Sequence, residues 1–328
     1  MPIDIYQSSN LDKFSAEEAD LYRLINQYRA DNGLPPIAAS KSLSTVANRH
    51  VLDLQENIGS ITHGWSDAEY DATDSSTWPA MWEAPQRLNT AYEDFGFENA
   101  FYSSAGATAE DAFRSWRESD GHNAVILNQD IWSNSEWNAL GVGIYGDYAV
   151  MWVGEASDPA RAPKGSTRGI KSGSSKRNKL KGTGRDDIIA GLEGNDKIKG
   201  KKGDDILGGG EGKDRLIGQA GNDILFGGAG NDTLKGGGGD DILYGGEGSD
   251  RLIGNGGSDI FIVEPGNGID LVKDFVKGTD SLGIIGTTTS SDLSFTQDGA
   301  NTIVSVSGTQ VMTLQNVSGI DQSDVMSL

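Results

Sequence analysis

Nine blocks of nine residues run without interruption from 182 to 262, and no other feature limits so tightly what this chain can fold into. The clearest are GQAGNDILF (Gly218–Phe226), GGAGNDTLK (Gly227–Lys235) and GGGGDDILY (Gly236–Tyr244). In register, the sixth column is always aspartate: Asp187, Asp196, Asp205, Asp214, Asp223, Asp232, Asp241, Asp250 and Asp259. The eighth column is always large and apolar, from Ile189 and Ile198 through six leucines to Phe261. Glycine opens every block and holds the fourth column everywhere except at Arg185. The period reads as six residues of turn followed by three of strand. Glycine permits positive φ and lets backbone carbonyls crowd together. The aspartate adds a carboxylate beside them, a donor set suited to a hard cation with oxygen ligands. The apolar eighth residue points inward and stacks on its equivalents. A flexible glycine-rich linker has no reason to keep aspartate and leucine in fixed columns.

The block resembles the hemolysin-type, or RTX, repeat. That resemblance implies a parallel β-roll loaded with calcium through the nine-member aspartate column. Each ion is expected between loops two blocks apart, giving about seven internal sites. The rest of the composition agrees with a cation-binding chain. The formal net charge is −21, with −17 in residues 1–160, +8 in 161–181, −6 in 182–262 and −6 in 263–328. So acidic a chain is a poor partner for nucleic acid. It has no cysteine, so neither disulfides nor thiolate metal sites are available. The opening MPIDIYQSSNLDKF has no basic or apolar region of the kind a signal peptide carries, and no apolar run is long enough to span a membrane. The RTX resemblance implies a different exit, type I secretion read from an uncleaved C-terminal segment.

Upstream of the blocks the pattern changes to helices. Ser15 and Glu18 form a capping box before an apolar stripe of Leu21, Leu24, Ile25 and Tyr28, and Gly33 and Pro35 end that helix. A second helix is expected after Ser40, with Leu43, Val46, Ala47, Val51 and Leu54 on one face. His50 shares that face and reads as a packed core histidine. A third helix starts at Thr108 and carries Ala112, Phe113 and Trp116. Residues 141–156 read as a hairpin turning at Gly146–Asp147.

Three phrases within this order carry a second resemblance. LINQYRADNGLPPI (Leu24–Ile37), FENA (Phe97–Ala100), and WRESDGHNAVIL (Trp116–Leu127) followed by LGVGIY (Leu140–Tyr145) are similar to motifs of the CAP superfamily in its bacterial, SCP-like form. The resemblance implies an α-β-α sandwich with a cleft in which two histidines and two glutamates can hold a divalent metal. By position these are His63, Glu98 and His122. The family position of the second glutamate falls on Ser119, one residue after Glu118. One step along a helix turns a side chain by about 100°. Zinc is the first metal such a set suggests. An insert between His63 and Glu98 holds Trp65, Tyr70, Trp78, Met81, Trp82 and Phe95, either a packed lid or a surface for lipid or glycan.

The whole reads as α+β: a CAP sandwich over 1–156, a basic flexible linker over 157–181, the nine-repeat all-β parallel roll over 182–262, and a β cap with the secretion segment over 263–328. The expected function is that of a secreted, extracellular calcium-binding protein. Its roll folds on calcium, and its CAP domain binds a lipid or cell-surface component. A metal-dependent hydrolase using His63, Glu98 and His122, and a surface adhesin or surface-layer protein, are the alternatives. No nucleophilic triad is visible, and the missing fourth cleft ligand weakens the hydrolase reading, so binding is preferred to catalysis.

Overall fold

The structure is a computed structural model. It describes residues 15–65, 83–88, 90–129, 132–133, 135, 137–156, 158, 169–264, 268–284 and 289–327. The chain divides into two compact units, Met1–Arg29 with Ile37–Ser172, and Ala30–Pro36 with Gly173–Leu328.

In the first unit the expected helix starts are met by their caps. The Ser15 amide donates to Glu18 Oε2 at 2.6 Å and the Glu18 amide to Ser15 Oγ at 3.1 Å, opening the helix Ala16–Asp31. Ser40 caps the helix Lys41–Asp53 through the Leu43 amide. Thr108 caps Ala109–Glu118 through the Asp111 amide. A further helix, Asp120–Ile126, follows directly. The strands Phe97–Tyr102, Ala139–Tyr145 and Tyr148–Gly154 form an antiparallel sheet with Tyr148–Gly154 in the middle. The hairpin turns at Gly146 and Asp147, with Gly146 at φ 57°.

The phrase LGVGIY has a packing reason. A Cβ built on Gly141 would lie 2.1 Å from the Leu43 backbone, and one on Gly143 would lie 2.6 Å from that of Ala47. Two glycines on one face of the strand therefore let the helix Lys41–Asp53 lie directly on the sheet. That seating fixes His50 on the helix above Glu98 on the sheet. Periodicity missed part of the first helix. Tyr22, Asn26 and Arg29 are buried, and the Arg29 guanidinium donates to the Ile126 carbonyl and to Asn128 Oδ1, both at 2.6 Å.

In the second unit each block contributes a short strand, and strands eighteen residues apart pair in parallel and in register. Leu225 faces Leu207 and Leu243 in one sheet; Leu234 faces Leu216 and Leu252 in the other. The eighth-column side chains are fully buried in a single row from Ile189 to Phe261. Each such side chain contributes roughly 1.5–3 kcal/mol.

The linker expected over 157–181 is shorter than its composition implies. Lys179–Lys181 is a strand paired in register with Lys197–Lys199, Leu180 faces Ile198, and the Asn178 amide donates to Asp196 Oδ1 at 2.6 Å. Residues 173–181 are thus a tenth block, with Asn178 in the aspartate column and Leu180 in the apolar one. Lysine and serine in the other columns hide it. At the far end Asp270–Val272 and Ser281–Ile284 extend the two sheets, and the antiparallel strands Leu293–Asp298, Asn301–Val306 and Thr309–Leu314 complete the cap.

From the second block on, the second column holds positive φ whether or not it is glycine: Gly210 has φ 98° and Gly228 100°, but Lys201 also has 98° and Gln219 96°. A side chain there costs about 1–2 kcal/mol. Glycine gives back about 0.5–1 kcal/mol through the unfolded chain. Gln219→Gly is expected to stabilise the calcium-loaded roll by about 0.5–1 kcal/mol in denaturant melts. Destabilisation by this change would show that the left-handed conformation is not carried at this position.

Candidate functional site

The roll presents a repeated polar motif at its turns. From Asp196 onward each sixth-column carboxylate uses Oδ1 to accept the amide of its counterpart one turn earlier, whereas Asp187 Oδ1 has no partner. Asp223 Oδ1 takes the Asp205 amide at 2.9 Å, Asp232 Oδ1 the Asp214 amide at 2.7 Å, and Asp241 Oδ1 the Asp223 amide at 2.8 Å. The other oxygen is left over. Oδ2 of Asp196, Asp205, Asp214, Asp223, Asp232, Asp241 and Asp250 is buried and has no hydrogen-bond partner. These oxygens face backbone carbonyls. A Cβ built on Gly209 would meet Asp214 Oδ2 at 2.4 Å and the Gly227 carbonyl oxygen at 2.3 Å; one on Gly227 would meet Asp232 Oδ2 at 2.7 Å and the Gly245 carbonyl oxygen at 2.2 Å. A buried carboxylate oxygen beside a carbonyl oxygen, with no donor between them, is a site for a hard cation. The donor set fits calcium.

Two parts of this ladder were not visible in the sixth column alone. The fifth column runs a second ladder in the opposite sense: Asp204 Oδ1 accepts the Asn222 amide at 2.7 Å, and Asn222 Oδ1 accepts the Asp240 amide at 2.8 Å. The signal was present as Asp or Asn at 186, 195, 204, 222, 231 and 240. The cap also supplies Asp270 and Asp280, whose Oδ1 atoms take the Asp250 and Asp259 amides at 2.9 and 3.1 Å. Their spacings of 20 and 21 residues break the nine-residue period.

Burial pushes these carboxyls up in the ion-free roll. Asp205, Asp223 and Asp232 rise to about 7, Asp241 to about 8, and Asp214, Asp250 and Asp259 to about 6. The folded values lie above the ordinary 3.8. The resulting penalty is therefore absent below about 3.8 and fully present above about 8, and the ion-free roll gains stability as pH falls between them. Protons and calcium compete for the same oxygens. The calcium concentration needed to fold the roll is expected to be lower at pH 5.5 than at pH 8, because protonation stabilises the same fold before any ion binds. Titrations followed by far-UV circular dichroism at the two pH values check this; equal midpoints would remove these carboxylates from the site.

In the first unit the structure sets His50, beside the expected His63, against Glu98. Glu98, its side chain wholly buried, has Oε2 3.0 Å from His50 Nδ1 and Oε1 3.8 Å from His63 Nδ1. His50 also places Nε2 2.9 Å from the Gly64 carbonyl oxygen and stacks on Trp65 with ring centroids 4.5 Å apart. His50 is packed in the core, as its position on the helix suggested, but it does not lie apart from the cleft residues. It is the nearest partner of Glu98. Burial acts to raise the Glu98 carboxyl, but the two imidazoles, His50 foremost, outweigh it and hold it at about 2. Burial acts to lower His63, and Glu98 reverses this, so His63 ends above its ordinary value. Burial, with a smaller contribution from the charge of His63, lowers His122. Two neighbouring histidines are thus pushed in opposite directions.

Zinc on His63, Glu98 and His122 is not supported. Among the described residues no group of three or more His, Asp or Glu side chains converges as a metal site, because both oxygens of Glu98 already face imidazoles. The exposed Glu118 lies on an open groove with Phe101, Tyr102, Asp111 and Arg114, none of them part of the Glu98 cluster. Of the aromatic insert, Trp65 is buried against His50 and Phe95 is half exposed; Tyr70, Trp78, Met81 and Trp82 lie outside the described residues.

Comparison with known families agrees with both units. Residues 22–153 match the cysteine-rich secretory protein family, CAP. Four copies of the RTX calcium-binding nonapeptide repeat match at 172–207, 181–216, 208–243 and 235–270. The chain joins a CAP domain to RTX repeats. The first RTX match begins before the tenth block, in keeping with its place in the roll. Among solved structures, an extracellular protein containing an SCP domain from Bacillus anthracis is 20% identical over 43% of this chain and 40% of its own, with a TM-score of 0.35. A cysteine-rich secretory protein from Staphylococcus aureus is 22% identical over 43% and 38%, with a TM-score of 0.31. The extracellular lipase LipA of Serratia marcescens is 18% identical over 63% and 47%, with a TM-score of 0.26. The chain therefore spans less than half the length of each. No curated protein matches.

Proposed function

We propose that this is a secreted protein whose RTX roll stays unfolded until it meets extracellular calcium, and whose CAP domain binds a lipid or cell-surface component. The observation that carries this reading is the row of buried Oδ2 atoms without partners, from Asp196 to Asp250. Without a cation, the roll must bury these charges beside carbonyl oxygens in a glycine-rich backbone that loses much entropy on ordering. With calcium bound, the binding free energy becomes folding free energy. Low calcium inside a cell and millimolar calcium outside then separate an export-competent chain from a folded one.

Binding is preferred to hydrolysis in the CAP domain because Glu98 is engaged by His50 and His63 rather than left to act on a metal-bound water. Export is assigned to a type I system reading the C-terminal segment, in line with the RTX character of the chain. Deleting the last ~60 residues is expected to retain the protein in the cytoplasm of a host with a matching exporter. The full chain should appear in the medium and bind calcium there. Secretion that survives the deletion would refute the route while leaving calcium binding standing.

A further inference from the structure

The blocks have an eighteen-residue period beneath the nine-residue one. The eighth column points into the roll, so the seventh and ninth point out. Successive blocks alternate between the two sheets, and the two outer faces differ chemically. In one sheet the seventh column is isoleucine at every block from Ile188 to Ile260. In the other it is Lys179, Lys197, Arg215, Thr233 and Arg251, with Lys181, Lys199 and Lys235 in the ninth column. The five strands of this second face pair in unbroken parallel register, so Lys197 stands directly beside Arg215 and Lys179. Each strand carries at least one cation, and none of its outward positions from Lys179 to Ile253 is acidic. Lys179, Lys197, Arg215 and Arg251 are exposed. Among the described residues none of these four is held in an ion pair by a carboxylate of the chain.

We infer that this basic sheet face is a binding surface for a linear anionic polysaccharide. Neighbouring strands lie about 4.8 Å apart, so the cations form a band about 20 Å long across five strands, in the seventh column except at Thr233, where Lys235 in the ninth column supplies the charge. A regular band on a flat face fits a polymer with charges repeated at sugar spacing better than the irregular surface of a folded protein. The face has no aromatic side chain, which removes the stacking platform on which single-stranded nucleic acid is held. It also lacks the tryptophan or tyrosine that anchors a protein at a membrane interface. The chain as a whole, at −21, repels polyanions at long range. Lysine and arginine kept in this one row of an acidic protein therefore mark a local contact.

The test uses the full-length protein in millimolar calcium at physiological salt, with dextran sulfate as the probe and uncharged dextran as the control. The variant Lys197→Gln/Arg215→Gln/Arg251→Gln removes three exposed cations from the row. The variant Lys41→Gln/Arg185→Gln/Lys213→Gln removes three exposed cations elsewhere, with the same change in net charge. Both should keep the calcium-dependent β signal. Wild type should bind dextran sulfate and not dextran, the first variant should bind at least about tenfold more weakly, and the second should bind like wild type. Failure of wild type to bind, equal losses in both variants, or unchanged affinity in the first would overturn the assignment. So would tighter binding to an oligothymidine strand or to phosphatidylglycerol vesicles than to dextran sulfate, since either would name a different class of partner.

Discussion

Moved from millimolar calcium into excess chelator, the protein is expected to lose most of its β-sheet circular dichroism while its tryptophan fluorescence stays unchanged. The two signals separate cleanly because all seven tryptophans, from Trp65 to Trp152, precede the repeats. Restoring calcium should restore the β signal cooperatively, because each turn is held by its neighbours. Asp223→Ala and Asp232→Ala should shift the calcium midpoint upward more than Asp187→Ala does. In the central blocks the oxygen left without a partner is Oδ2, the one beside the carbonyls, whereas Asp187 Oδ2 accepts the Thr183 amide at 2.6 Å and its hydroxyl at 3.0 Å and leaves over Oδ1 instead. A β signal indifferent to chelator would mean that the carboxylate row tolerates burial without a cation, and the folding mechanism would fail.

The second large effect is expected in the CAP domain. His50→Ala strips the buried Glu98 of its nearest partner and opens space beside Trp65. Removing one member of a buried ion pair costs about 3–5 kcal/mol, because the remaining charge is left uncompensated. Thermal denaturation followed by tryptophan fluorescence should show the CAP transition shifted well down, while the calcium midpoint of the roll is unaffected. The double change His50→Leu/Glu98→Leu should recover part of the loss, since two apolar side chains leave no buried charge behind. If His50→Ala costs less than about 1 kcal/mol, Glu98 is not relying on His50 and the cleft must be organised through His63.

The sequence made the roll legible because its columns repeat. Aspartate and leucine recur too often in fixed positions for chance, and their inward and cation-facing roles follow from the period alone. The first two helices could be placed for a local reason as well: Ser15 and Ser40 cap them through contacts three residues away. What stayed hidden depends on contacts that no local pattern records. His50 reads as a core residue from its helix face, and it is one; only the seating of Gly141 and Gly143 under that helix brings Glu98 beneath it. Glu98 was placed by its motif, but its motif said nothing of which histidine would claim it. Asn178 escaped notice because a single Asn for Asp, set among lysines, removes the most recognisable letter of the block. Asp270 and Asp280 escaped because extra residues in the cap shift them out of phase while the backbone still delivers them to the same ladder.

The ladder has a direction. Every sixth-column amide is held by a carboxylate from the turn that follows it, never from the turn before. The fifth-column ladder runs the other way, each amide held by a side chain of the turn before, and the cap closes the sixth-column ladder by holding the Asp250 and Asp259 amides through Asp270 and Asp280. Each turn is thus clasped from both sides, by its successor through one column and by its predecessor through the next, so that the loss of one turn unlatches two.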